Sequence, residues 1–367
     1  MNPAIVLFVC NLVITNSLTF NKRYQHYPIK FDDIQDVKIK RPAKLNLDTS
    51  YNTLETINEY VDYLARSRPD IVTKEVIGYS YQKSPITALH IHNDERATVE
   101  KPSILIDAGI HAREWISPAV GLCILSQLVE NYEDNKYLID KVNWYIVPML
   151  NPDGYNYTWH GDRFWRKNRQ KIPNSHCLGI DLNRNFGYKY GGIGTSKLPC
   201  EEIFGGNGPF SEYESRALRD YAAKLPNLRL YLTMHSYGNF LIFPWGWTYE
   251  RPADYDDLYR VADRARNAME KVWGHRYTIG TPGDTTGLGA GGSDDYMKAV
   301  LGVKYSYTFE LPGGGEEGFD FPPGKIQDVC VETWEGIKAF AKFIKEENYR
   351  KRPRPKFGNR RHKSRRI

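Results

Sequence analysis

The chain has 367 residues, of which 41% are hydrophobic and 13% aromatic, and it carries a formal net charge of +6. That apolar content excludes a wholly disordered chain, and no run approaches the ~18 consecutive apolar residues of a membrane-spanning helix. The length admits one large α/β domain or two small ones.

Residues 1–19 hold a short apolar run, Ala4 to Ile14, followed by small and polar residues. This reads as a signal peptide, although basic residues before the run are missing, and it predicts a secreted, extracellular protein. Residues 20–50 are polar, basic and Pro-containing, an extended N-terminal arm. From Tyr51 the pattern becomes regular. Leu54, Ile57, Tyr60, Val61 and Leu64 recur at helical spacing, with Asn52 or Thr53 placed to cap the start. Val72 to Ile77 and Ile86 to His92 read as strands, and Ser103 to Asp107 as a buried strand ended by Gly109. Ser117-Pro118 opens a helix to about Leu128, and Trp144 to Met149 is a further strand.

Residues 151–209 are rich in Gly, Asn, Arg and Tyr, with little periodicity; so long an irregular span in a compact domain is usually functional. Ser211-Glu-Tyr-Glu214 has the spacing of a capping box. Strands at Leu230 to Met234 and Phe240 to Phe243 follow, then an amphipathic helix from Tyr255 to Trp273. A Gly-rich loop, Thr281 to Ser293, precedes a strand at Val303 to Leu311 and a closing helix at Val329 to Lys345. The glycines of that loop predict unusual freedom. The alternation predicts a single α/β domain over residues 51–347, a mixed central β-sheet covered by helices on both faces.

Residues 348–367 are a basic tail. Ten of the eighteen residues from Arg350 to Ile367 are Lys or Arg and none is acidic, so the rest of the chain nets to −4. Such a tail forms no core and is expected to be disordered; an inert solvated end and a polyanion- or matrix-binding appendage both stay open. No nucleic-acid module is recognisable, and none is expected as a partner.

Beyond the first segment lie Cys123, Cys177, Cys200 and Cys330, which permit three pairings. Cys177 and Cys200 flank a Gly- and Lys-rich loop whose closure would restrain the unfolded chain. Cys123 and Cys330 either pair or remain buried thiols. Asn156-Tyr-Thr158 is a glycosylation sequon.

Chemistry concentrates after the Ser103 strand. His111 and Glu114 lie three residues apart, so an imidazole and a carboxylate fall on one side of a single turn, as two ligands of a catalytic zinc would. A third ligand should come from another strand end, and His235 follows Leu230-Tyr-Leu-Thr-Met234. A lone His there is usually only a polar cap. Asp181-Leu-Asn-Arg-Asn185 places an amide beside a guanidinium, a clamp for a carboxylate. Glu310 is the one acidic group of an otherwise uncharged strand, a costly placement without a partner or a role.

Seven blocks in order resemble the zinc metallocarboxypeptidases of the pancreatic A/B type: His111-Ala-Arg-Glu-Trp115, Asn151-Pro-Asp-Gly-Tyr155, Trp165-Arg-Lys167, Gly179-Ile-Asp-Leu-Asn-Arg-Asn185, His235-Ser-Tyr237, Gly291-Gly-Ser-Asp-Asp295 and Thr308-Phe-Glu310. The resemblance implies one zinc per chain held by His111, Glu114 and His235, with a water in the open position. It implies Glu310 as general base and Arg166 as the residue that polarises the scissile carbonyl. Asn183 and Arg184 would grip the substrate's terminal carboxylate, while Arg113 and Tyr237 would line the neighbouring subsite. Asp181 would orient His111. Asp294 stands where members that cut after Lys or Arg carry an acid, whereas Gly246 is the small residue of apolar-preferring members.

The implied activity is removal of the C-terminal residue, Lys or Arg, from peptides and proteins. Two departures from the family stand out. Only about thirty residues precede Tyr51 after the signal segment, too few for the usual folded pro-domain, and the loop before Gly291 lacks the tyrosine that usually closes over substrate. The altered loop and the basic tail leave an alternative open, a zinc-containing binding or matrix protein of this fold with little turnover. A two-metal aminopeptidase would need further carboxylate and His ligands, and no such set is found.

Overall fold

The structure, a computed structural model, describes residues 39–93 and 100–350. Residues 1–19, read as a signal peptide, most of the expected arm and all but the start of the expected tail lie outside them. Residues 39–50 contain no helix or strand. They lie against the body through an Arg41–Glu130 ion pair, buried Leu47, and a Gln327 N–H donated to Asp48 O.

Eight strands form one mixed sheet: β1 (Val72–Tyr79), β2 (Pro85–Ile91), β3 (Ser103–Ala108), β4 (Asn143–Val147), β5 (Leu228–Ser236), β6 (Phe240–Ile242), β7 (Thr278–Gly280) and β8 (Tyr305–Leu311). Their spatial order is β1-β2-β4-β3-β5-β8-β6-β7. The centre, β4-β3-β5-β8, is parallel, which buries it on both faces. Alternation along the strands feeds two cores. Ile104, Ile106, Leu230, Leu232 and Met234 face one side, whereas Leu105 and Tyr231 face the other.

Helices cover both sides. The first core packs α1 (Leu54–Ser67), α2 (Ile116–Val129), α6 (Tyr255–Trp273) and α8 (Ile326–Arg350); the second packs α5 (Tyr213–Ala222) and α7 (Ser293–Ala299). Thr53, rather than Asn52, caps α1 by accepting from Thr56 N. Three α-helices were not legible in the sequence: α3 (Tyr132–Ile139), α4 (Pro152–His160) at the head of the span read as irregular, and α7 just after the Gly-rich loop. The expected capping box of α5 does not form, because Glu212 and Glu214 both turn to Asn168 Nδ2, at 2.7 and 3.2 Å. Cys123 of α2 pairs with Cys330 of α8, and Cys177 with Cys200, at Cα separations of 6.0 and 5.1 Å.

β3 sends its chain to β4 on one side, while β5 lies on the other. The reversal leaves a crevice beyond the carboxyl ends of β3 and β5, where open α/β sheets place their ligands.

Candidate active site

Gly109 leaves β3 at φ +69°, and a β-carbon there would stand 2.9 Å from Met149 Sδ. The turn it permits carries His111 and Glu114 to the crevice. His235 arrives from β5. His111 Nδ1 lies 2.8 Å from Glu114 Oε1, and His235 Nδ1 lies 3.1 Å from both Glu114 Oε2 and His111 Nδ1. All three side chains are buried. His111 Nε2 is engaged by Asp181 Oδ1 at 3.1 Å, so its Nδ1 must face the centre. Burial opposes a charge on Glu114, but the two imidazoles outweigh it and hold the carboxyl well below its ordinary range. Burial likewise opposes a charge on His235, yet Glu114 raises it to about 9. Two Nδ1 atoms and a carboxylate aimed at one point are the donor set of a catalytic zinc with an open position.

Asp181 ties this cradle to the next wall. Its Oδ2 takes Arg166 Nε and Nη2, each at 3.0 Å, and its Oδ1 takes Asn183 N. Burial opposes its ionisation, but Arg166 and His111 lower it well below the ordinary range. Arg166 Nη1 also stands 3.8 Å from Glu114. The backbone fixes the same geometry, with Ala112 N donating to Arg166 O and buried Asn151 Nδ2 donating to Ile110 O and Lys167 O. Asn183 uses its amide oxygen on Ser293 N, and Arg184 donates through Nε to Gly194 O and through Nη1 to Asn183 O.

Strand register delivers Glu310, the β8 partner of His235, to the same face and the same cavity. Burial and the Glu114 charge raise its pKa to about 8 against the pull of His235 and Arg166. The cavity, about 300 Å³, brings together His111, Glu114, Arg166, Asn183, Arg184, His235, Tyr237, Asp294 and Glu310. Asp294 is buried, and burial raises its pKa. It accepts from Thr308 Oγ1 and Asp295 N, and it forms no ion pair among the described residues. Arg113 does not line the cavity directly; its guanidinium packs over Phe319, which does, and pairs with Glu202 at 2.7 Å. Tyr237 meets Phe319 edge-on.

Phe319 and Ile242 were missed in the sequence. They line the cavity through pairing and loop packing, which no local motif announces. The Gly-rich loop also differs from expectation. Gly287 N bonds to Pro282 O, Gly289 N to Gly246 O and Ala290 N to Ile193 O, each at 2.8 Å. Its glycines mostly serve close approach: β-carbons at 289 and 291 would press on Arg184.

A strand-end cradle with a facing carboxylate and a cationic wall defines a zinc hydrolase of the α/β class. The family model described as zinc carboxypeptidase matches residues 57–336. Carboxypeptidase B of Astacus astacus is 41% identical over 303 residues, 81% of this chain and 98% of that protein. Bovine thrombin-activatable fibrinolysis inhibitor, solved in complex with tick carboxypeptidase inhibitor, aligns at a TM-score of 0.76 and 38% identity, covering 81% of this chain and 98% of that one. Carboxypeptidase A of Helicoverpa armigera aligns at 0.77 and 32%, covering 82% and 75%. The chain belongs to the zinc carboxypeptidase family. It is a metallocarboxypeptidase whose zinc is held by His111, Glu114 and His235.

Proposed function

We propose that this carboxypeptidase removes C-terminal Lys or Arg. The observation that carries the reading is Asp294, a buried carboxylate on the cavity wall without an ion-pair partner among the described residues. A substrate cation supplies that partner. Gly246 does not argue for an apolar preference. A β-carbon there would lie 2.9 Å from Gly289 O, and Gly246 N is held by both oxygens of Asp295.

In this reading the Asn183 amide NH₂ and the Arg184 guanidinium take the terminal carboxylate, which confines cleavage to the last residue. Zinc, when bound, supplies Lewis acidity to the attacking water and the scissile carbonyl. Glu310 accepts the water's proton and returns it to the leaving amine; its raised pKa suits a group that must hold and release a proton. Arg166, kept in place by Asp181, faces the developing oxyanion. Tyr237, with Arg113 behind Phe319, contacts the residue before the cleaved bond. The test is kcat/KM on blocked dipeptides ending in Lys, Leu or Phe, and equal cleavage of the three would sink the basic preference.

The same reading places the protein outside the cell. Its support is two disulfides, a signal-like segment at residues 1–19, and a sequon whose Asn156 is exposed on α4. Expression in a secreting host followed by deglycosylation should lower the mass by one glycan. The tail after Arg350 acts as a salt-screened polyanion contact. Removing it should weaken retention on heparin without changing activity, and identical elution would return it to an inert end.

A further inference from the structure

The two zinc-binding histidines are supported unequally. His111 Nε2 meets Asp181 directly, whereas buried His235 Nε2 has no hydrogen-bond partner among the described residues. Three more buried polar atoms nearby also lack one: Asp107 Oδ1, Tyr231 Oη and Ser293 Oγ. A single such atom costs about 1–3 kcal/mol, so four on one side of the sheet require an account.

The fold explains why they meet. Asp107 of β3 is the register partner of Thr233 on β5, whose hydroxyl donates to Asp107 Oδ2 at 3.1 Å. Tyr231, Thr233 and His235 alternate along β5 and therefore share that face. Ser293 opens α7, which is fastened above the same face by Ser306 Oγ to Asp294 O and by Thr308 Oγ1 to the Asp294 carboxylate. The Tyr231 phenol is close enough to Asp107 and Ser293 to interact with both, although it forms no well-aligned direct hydrogen bond to either, and the charges of Asp107 and His235 act on each other.

We propose that these four groups enclose a buried water site through which Asp107 positions His235 for the metal. The water accepts the Nε2 proton of His235 and donates to Asp107 Oδ1, while the hydroxyls of Tyr231 and Ser293 complete its shell. Such a site has the two to four polar partners that a buried water needs. With the proton held on Nε2, the Nδ1 lone pair of His235 stays on the side where Glu114 and His111 converge. Asp107 is thus to His235 what Asp181 is to His111, one water further away. It is a positioning residue and touches neither substrate nor reacting atoms.

The test measures zinc affinity of the full chain by competition with a chromophoric chelator, and the visible spectrum after cobalt substitution. Asp107→Asn, nearly isosteric, should weaken zinc binding about 10- to 100-fold, as loss of a ligand's outer partner does, and shift the cobalt bands. Tyr231→Phe should act in the same direction and less. Unchanged affinity and bands in both variants, even with a lowered melting temperature, would assign Asp107 to packing and overturn the proposal. If Asp107→Asn does not fold, the ring Nε2–H of His235 in ¹⁵N-histidine-labelled zinc protein decides. A slowly exchanging resonance that Tyr231→Phe displaces supports the site, and a proton exchanging at the solvent rate overturns it.

Discussion

Two walls of one cavity are held in different ways. On the floor, His111, Glu114, Arg166 and Asp181 fix one another through charged side chains. At the mouth, residues 286–290 contribute one large side chain, Leu288, and are held by main-chain bonds to Pro282, Gly246 and Ile193. Charge on the floor is costly to bury and must be mutually satisfied, so its positions tolerate little change. Hydrogen bonds from backbone to backbone leave the mouth free to vary in side chains while keeping its course. In the proposed mechanism chemistry and selectivity separate accordingly: bond breaking belongs to the floor, substrate fit to the mouth and the pocket.

The largest effect that would sharpen this division is on Glu310. Glu310→Gln should lower kcat about 10²- to 10⁴-fold with KM and zinc content retained. A variant that turns over within tenfold of wild type would remove Glu310 from the proton transfer. Next is Asp294→Ile, which withdraws the proposed partner of a substrate cation. It should cost Lys-ending peptides about 3–5 kcal/mol, or roughly 10²- to 10⁴-fold in kcat/KM, while Leu-ending peptides gain. Parallel losses on both substrates would show that Asp294 supports the fold and not selection.

Beneath the floor the support is of a third kind. Asn168, two residues beyond Arg166, is gripped by Glu212 and Glu214 and accepts from Ile180 N. Burial raises Glu214 to about 7 from an ordinary 4.5. Through that window the folded protein keeps a proton that the unfolded chain has released, so stability falls as pH rises and stays lower above it. Glu214→Gln should therefore equal wild type near pH 4 and exceed it by up to about 3 kcal/mol at pH 8 in urea unfolding. A variant less stable than wild type at pH 8 would mean the ionised carboxylate is held favourably after all.

Legibility in the sequence follows the range of the interactions. The helix α6 and the strand before His111 were readable because periodicity and Gly109 are local signals. So were His111 and Glu114, three residues apart in one turn. The nearness of Glu310 to His235 depends on β5–β8 register, and that of Cys123 to Cys330 on the packing of α2 against α8; neither is written in neighbouring residues. Helix α4 escaped because Pro152-Asp-Gly154 reads as a turn, although Asn151 caps it by accepting from Gly154 N. The loop glycines were read as freedom because their partners, Gly246 and Ile193, are distant in the chain.

The smallest expected effect tests that misreading by contrasting two glycines two residues apart. Gly287 has φ +88° with open space around its missing β-carbon, whereas Gly289 is crowded by Arg184, whose Nη2 would lie 2.7 Å from a β-carbon. Gly287→Ala strains the backbone alone and should lower stability by about 1–2 kcal/mol with kinetics unchanged. Gly289→Ala pushes on the guanidinium proposed to receive the terminal carboxylate. It should raise KM about tenfold, near 1.4 kcal/mol of binding, and leave kcat and zinc content close to wild type. The reverse pattern, with KM moved by Gly287 and not by Gly289, would restore a mobile lid. Equal, small effects at both positions would mean that Arg184 yields without loss of grip, and that the mouth constrains the substrate less than the pocket does.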